Sequence, residues 1–256
     1  MEIKQEIELV STLKNAASNR SGVLLNAYIS GSHLYGFESK DSDVDIRGCF
    51  ALKPRAFFGL KKPIDIIELG LVENNDIVLF ELKKMIGLAI KGNCNIIEEM
   101  NAPQFYKTAD YLKLKELVNN AFGKKGLYNS YRGMATFNYK KFILGGKSSA
   151  KKYLYVFRGL MAGIYVLQTG LVKPNLGELN KYFKIPEVDA LLRLKKCGIE
   201  KEPCTDLDTG ILDVKIKELF DKLDEAYMKS KMPEEPTREE IDEIDSCMVS
   251  IREGLI

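Results

Sequence analysis

The sequence predicts an α+β protein, a small sheet-bearing N-terminal unit followed by an all-helical one. Three observations carry this. Up to about residue 80, short apolar runs are separated by Gly, Ser and Asn. Beyond residue 106, apolar residues recur at helical spacing over long stretches. No internal repeat or low-complexity tract interrupts either half. The chain has 256 residues, 45% of them hydrophobic, enough for one large core or two modest ones. The expected division is 1–105 for the sheet unit and 106–256 for the helical unit.

The elements follow in order. Ile3, Ile7, Val10 and Leu13 form a helical stripe over 2–19, ended by Ser21-Gly22. Val23 to Ile29 is an apolar run, a buried strand that enters the turn Ser30-Gly31-Ser32. Asp43 to Phe50 alternates acidic and apolar residues, which predicts a second strand. Ile64 to Leu69 and Asp76 to Phe80 read as two more, divided by Glu73-Asn74-Asn75. Glu81 to Lys91 reads as a helix with Gly92-Asn93 at its end. In the second unit, helices are expected over Tyr111–Ala121, Leu127–Leu144, Ala150–Thr169, Pro186–Lys196 and Ile211–Lys229. Gly145-Gly146, Gly170 and Pro174 punctuate them. A linker spans Met232 to Pro236, and Thr237 then caps a last helix, with Glu240 at the capping-box position.

Charge narrows the function classes. With 38 basic and 36 acidic residues the net charge is +2, so no field of one sign covers the molecule. The pairs Lys83-Lys84, Lys124-Lys125, Lys140-Lys141, Lys151-Lys152 and Lys195-Lys196 read individually as solvated helix surface. Cys49, Cys94, Cys197, Cys204 and Cys247 form no C-x-x-C motif; they read as reduced thiols without zinc, consistent with a cytoplasmic protein. No signal peptide and no membrane-length apolar run is visible. A single histidine, His33, leaves little capacity for a His-based metal site or a Ser-His relay.

The chemistry concentrates in Gly31-Ser32-His33-Leu34-Tyr35-Gly36 and Ser42-Asp43-Val44-Asp45. Side chains at i and i+2 of a strand share a face, so Asp43 and Asp45 project together beside the turn. Two adjacent carboxylates repel unless a cation lies between them, and a hard divalent ion such as Mg²⁺ suits oxygen donors. A Gly-Ser turn ending an apolar strand offers backbone N–H groups and a hydroxyl to phosphate. Together they point to transfer chemistry on a nucleoside triphosphate.

These residues resemble the signature of the DNA polymerase beta nucleotidyltransferase superfamily. They most resemble a branch associated with RNA repair, over roughly residues 27–180. That branch carries the Gly-Ser-His-x-Tyr-Gly turn and the Ser-Asp-x-Asp pair. Its next helix is matched here by Glu81-Leu82-Lys83-Lys84 and Leu88-Ala89-Ile90-Lys91-Gly92-Asn93, with Cys94 in place of the usual proline and Glu98 after it. A later helix with basic ends is matched by Lys151 to Arg158, where Lys152 and Tyr155 replace histidines, running to Thr169-Gly170. The resemblance implies a polymerase-beta-like sheet with flanking helices, and two Mg²⁺ ions (Mn²⁺ as a substitute) held by Asp43 and Asp45. It implies a nucleotidyl group passed from an NTP to a hydroxyl, with pyrophosphate released. The expected acceptor is an RNA 3′ end. A protein partner or a small molecule is the alternative, and a non-catalytic nucleotide- or RNA-binding module is the third reading.

For the third carboxylate Asp76 is preferred, because it opens the apolar strand Ile77-Val78-Leu79-Phe80. Glu81 is the alternative, though a helix start also explains an acid there. Ser32 and the Gly31 backbone are expected on the β- and γ-phosphates. Ser42 either binds phosphate or caps the turn. Lys151 and Arg158, at i and i+7 on one helix face, are expected to neutralise the triphosphate across a cleft. Arg47, two residues beyond Asp45 on the same strand face, either assists in neutralising the triphosphate or pairs with a neighbouring acid. Asn93 and Glu98 read as structural, and Asp41 as loop solvation. His33 either packs on Tyr35 or contacts phosphate or base. Tyr128, Tyr131, Tyr139, Tyr153, Tyr155 and Tyr165 read as helical packing more readily than as base-stacking platforms.

Overall fold

A computed structural model of the chain describes residues 3–39, 42–72, 75–197 and 208–255. The expectations on Asp41, on Glu73-Asn74 and on Cys204 lie outside these residues. The α+β class is borne out. The first helix, α1 (Ile3–Ser18), packs on strand β1 (Gly22–Ile29). After a short helix α2 (Gly31–Tyr35) come β2 (Val44–Leu52), a 3₁₀ turn (Pro54–Phe57), β3 (Ile66–Val72) and β4 (Asn75–Glu81). Helices α3 (Leu82–Ile90) and α4 (Cys94–Met100) follow, then β5 (Gln104–Lys107). The five strands lie in the order β3-β4-β2-β1-β5. Only β2 and β4 run parallel; the other neighbours are antiparallel.

That single parallel pairing matters for the site. β2 crosses to β4 through the β3 hairpin, and Asp45 falls in register with Asp76. Registered residues of a parallel pair face the same side of the sheet.

The remaining helices are α5 (Ala109–Asn120), α6 (Lys124–Asn138), α7 (Ala150–Thr169), α8 (Leu176–Phe183), α9 (Pro186–Cys197), α10 (Thr209–Lys229) and α11 (Arg238–Glu253). The expected Leu127–Leu144 helix is α6 followed by a π-helical turn at Tyr139–Ile143. α7 is apolar and buried nearly all round, because α6, α8, α9 and α10 surround it. Thr237 and Glu240 form the reciprocal capping box that opens α11.

Four elements were not expected: α2, α4, α8 and β5. β5 pairs with β1, so the boundary placed at 105/106 falls inside a strand. α11 also returns to the sheet unit. Arg252 donates to the Leu52 carbonyl at 3.1 Å and to Glu81 Oε1 at 2.8 Å. One face of the sheet packs on α1 through Leu13, Ala17, Leu24, Ile46, Phe50 and Ile77. The other face joins Leu25, Tyr28 and Cys49 to Leu114, Tyr131, Leu154 and Ile251 in one continuous core.

Candidate active site

The site is built where β1 ends beside β2. The Ser30 backbone N–H donates to the Asp45 carbonyl at 2.7 Å, which ties the turn to the acidic strand. Gly31 then adopts φ +61, and a Cβ there would lie 1.8 Å from Asp45 Oδ2. Only glycine allows the carboxylate to approach the turn so closely. Gly36 closes α2 in the left-handed conformation, against the Asn175 side chain. The sequence motif is thus a pair of backbone necessities around a five-residue helix.

Arg47 organises the acids. Its Nη2 donates to Asp45 Oδ1 at 2.9 Å and to Asp76 Oδ2 at 2.8 Å. Its Nη1 donates to the carbonyls of Ile46 and Asp76, at 2.9 and 2.6 Å. Of the two readings of Arg47, the salt bridge is the one realised, and it joins two acids. Asp43 is exposed, immediately ahead of β2. Among the described residues, no three His, Cys, Asp or Glu side chains form a group that could hold a metal ion as they stand. The residues nevertheless fit a hard cation in kind. Two carboxylates already share one positive group, and both offer oxygen donors.

Glu81 is committed elsewhere. It is buried, accepts from the Lys83 N–H at 2.7 Å as the N-cap of α3, and pairs with Arg252. The in-register Asp76 is therefore the acid that stands beside Asp45. Ser42 bonds to Ser39: its Oγ accepts from the Ser39 N–H at 3.0 Å and lies 3.0 Å from Ser39 Oγ. Lys195, near the end of α9, is buried and reaches Ser39 Oγ at 2.6 Å. Nothing in the sequence signals that one lysine of a pair read as surface is buried against Ser39. Ser32 is buried in the first turn of α2.

Arg158 corrects an expectation. It is 1% exposed, forms an ion pair with the fully buried Glu98, and lies 3.7 Å over the Tyr35 ring. Tyr131 OH donates to the other Glu98 oxygen at 3.0 Å. The guanidinium thus supports α2 from below and does not face an open cleft. Burial is the strongest single influence and opposes its charge, but Glu98 together with Tyr35, Cys94 and Tyr131 outweighs it, so Arg158 stays protonated. Burial also raises the Glu98 carboxyl, with Arg158 and Tyr131 opposing that rise. Glu98 is structural, as read from the sequence, and Asn93 caps α4 through Ile96 N–H. Tyr155, at a replaced histidine position, packs edge-on against Tyr35 and Phe37, while Lys152 lies 3.8 Å over the Phe142 ring. Lys151 sits half-buried in the first turn of α7.

Glu99 was not singled out from sequence. It accepts from Ser30 Oγ at 2.8 Å and from Tyr28 OH at 3.2 Å, which fixes the turn from beneath. Burial raises its carboxyl, opposed by the Ser30 bond and the Arg47 charge.

With this geometry in view, comparison with known proteins gives a family. The model of the RNA repair pathway DNA polymerase beta family, RlaP, matches residues 3–250. The chain belongs to this family. The match includes the helical part beyond residue 186, where the motifs gave no resemblance. Two relatives of the family member described here carry names only as uncharacterized proteins. YcgL of Bacillus subtilis is 27% identical over 241 residues, covering 90% of this chain and 91% of its own. MJ0002 of Methanocaldococcus jannaschii is 29% identical over 213 residues, covering 82% and 86%. Among the described residues no helix is long and apolar enough to cross a membrane.

Proposed function

We propose that the chain is a nucleotidyltransferase that moves a nucleoside monophosphate from an NTP to a hydroxyl, with an RNA 3′ end as acceptor. The observation that carries this reading is Asp45 in register with Asp76 and packed against the Gly31 turn. Family membership supports both the chemistry and the RNA pathway.

Asp43, Asp45 and Asp76 would hold two Mg²⁺ ions. When bound, divalent cations make the acceptor hydroxyl a better nucleophile and offset charge on the triphosphate. The rest falls to the chain's own groups. Arg47 grips one oxygen of Asp45 and one of Asp76, and its anchorage on two backbone carbonyls fixes the direction of the other oxygens. The Gly31 N–H, Ser32 and Ser42 are the proposed phosphate contacts, with Lys151 as the basic contributor from α7. The acceptor oxygen bonds to the α-phosphorus, the bond to the β-phosphate bridging oxygen breaks, pyrophosphate leaves and the acceptor proton passes to solvent. Positioning and charge neutralisation, with no covalent enzyme intermediate, suffice for this step.

The test is incubation of the protein with Mg²⁺, labelled NTPs and short RNAs. Extended RNA is the expected product. Asp45→Asn and Asp76→Asn should each lower its rate roughly a hundredfold or more while unfolding midpoints hold. An unchanged rate in both variants overturns the site. Label transferred to protein in place of RNA overturns the acceptor.

A further inference from the structure

Beside the proposed phosphate turn lies a cleft of about 580 Å³, between the sheet unit and the α7–α8 connection. Ile29 and Leu34 line it with Pro103, Phe105 and Pro174, so most of its wall area is apolar. His33, Gln104, Asn101, Asn175 and the carboxylate of Glu6 add polar groups. His33 Nε2 is buried and has no hydrogen-bond partner among the described residues. A buried ring nitrogen normally has a partner, and its lack marks a place where a ligand or water completes the structure. The volume lies in the range of small-molecule sites, which combine apolar walls with a few placed polar groups.

We infer that this cleft takes a nucleobase, with His33 bonding its polar edge. A base is a flat apolar ring with donors and acceptors on its rim, which matches apolar walls joined to an amide and an imidazole. Position adds to chemistry. His33 is two residues from Gly31 in the same short helix, so a base held there belongs to a nucleotide whose phosphates lie by the turn. The inference rests on the nucleotidyl-transfer reading for its choice of ligand, but its test does not require turnover. The base comes either from the incoming triphosphate or from the terminal nucleotide of the acceptor strand.

His33 is the sole histidine in the chain, so its ring gives one unambiguous set of imidazole resonances, of which the Hε1 resonance is followed. Titrating the four ribonucleosides, without metal, should shift that resonance saturably for at least one. Ribose, which lacks the base, should not shift it. The same shift should persist in Asp45→Asn, which separates this site from the acidic one. His33→Ala should weaken binding of that nucleoside about tenfold by calorimetry, the equivalent of one hydrogen bond. A non-hydrolysable NTP that displaces the nucleoside identifies the incoming base; a short RNA that displaces it identifies the acceptor base. No response to any nucleoside, or an equal response to ribose, overturns the inference even where nucleotidyl transfer is observed. Displacement by neither NTP nor RNA overturns it as well.

Discussion

Arg158 shows how residue type and residue place separate. Its spacing from Lys151 correctly puts both on one face of α7, but spacing carries no information about what covers that face. Its partner Glu98 is 60 positions away, and a contact at that separation leaves no local trace in the sequence. Removing one member of a buried ion pair strands the other charge, so Arg158→Met should cost about 3–5 kcal/mol in denaturant unfolding. Arg158→Met combined with Glu98→Gln should cost less than the single change, because no charge is left unpaired. A loss of nucleotide binding by Arg158→Met at unchanged stability would return Arg158 to the phosphate site. Gly31 is the opposite case, since its motif was legible and its reason was not. The structure supplies that reason in the 1.8 Å approach to Asp45 Oδ2. Gly31→Ala should therefore displace the Asp45 carboxylate and abolish transfer. The added left-handed strain is only about 1–2 kcal/mol, so circular dichroism should still report a folded chain.

At the scale of elements, legibility followed length and periodicity. α7 was readable to its ends, because twenty residues of apolar character close on Gly170. The capping box of α11 was readable because Thr237 and Glu240 make their bonds within one turn. β5 has four residues and takes its order from pairing with β1, a tertiary fact. α2 has five residues, too few for a 3.6-residue period to register. α8 lies between Pro174 and Pro186, and that punctuation reads as a loop although Asn175 caps eight helical residues. The cap of α11 offers a clean measurement. Thr237→Ala removes the side-chain acceptor for the Glu240 N–H and should lower stability by about 1 kcal/mol. Because Arg252 ties the far end of α11 to Glu81 and Leu52, hydrogen exchange should rise in β2 and α3 as well as in α11. Exchange confined to α11 would mean that the helix is an appendage.

For the whole molecule, the two buried acids under the turn set a pH dependence. Burial raises Glu98 and Glu99 above their ordinary carboxylate value of 4.5. The folded chain then holds these protons more tightly than the unfolded chain, and stability falls as pH climbs from 4.5 through the raised values. Glu99→Gln should flatten that fall, and unfolding free energies at pH 4 and pH 7 measure it. The same burial bears on domain structure. Composition suggested two consecutive units, since the sheet residues and the helical residues differ in pattern. Pattern shows which face of an element is apolar, not which element covers it. Here Leu25, Tyr28, Cys49 and Ile97 are covered by Leu114, Tyr131, Leu154 and Ile251, all from beyond Lys107. A fragment ending at Lys107 would expose that face to water at about 25 cal/mol per Å² of apolar surface, and a patch of this kind drives aggregation. The fragment should therefore be insoluble, or soluble without dispersed amide resonances, and the full chain should unfold in one transition by calorimetry. A well-dispersed spectrum from residues 1–107, together with two transitions in the intact chain, would show that the sheet unit folds on its own and that the shared core is only a docked interface.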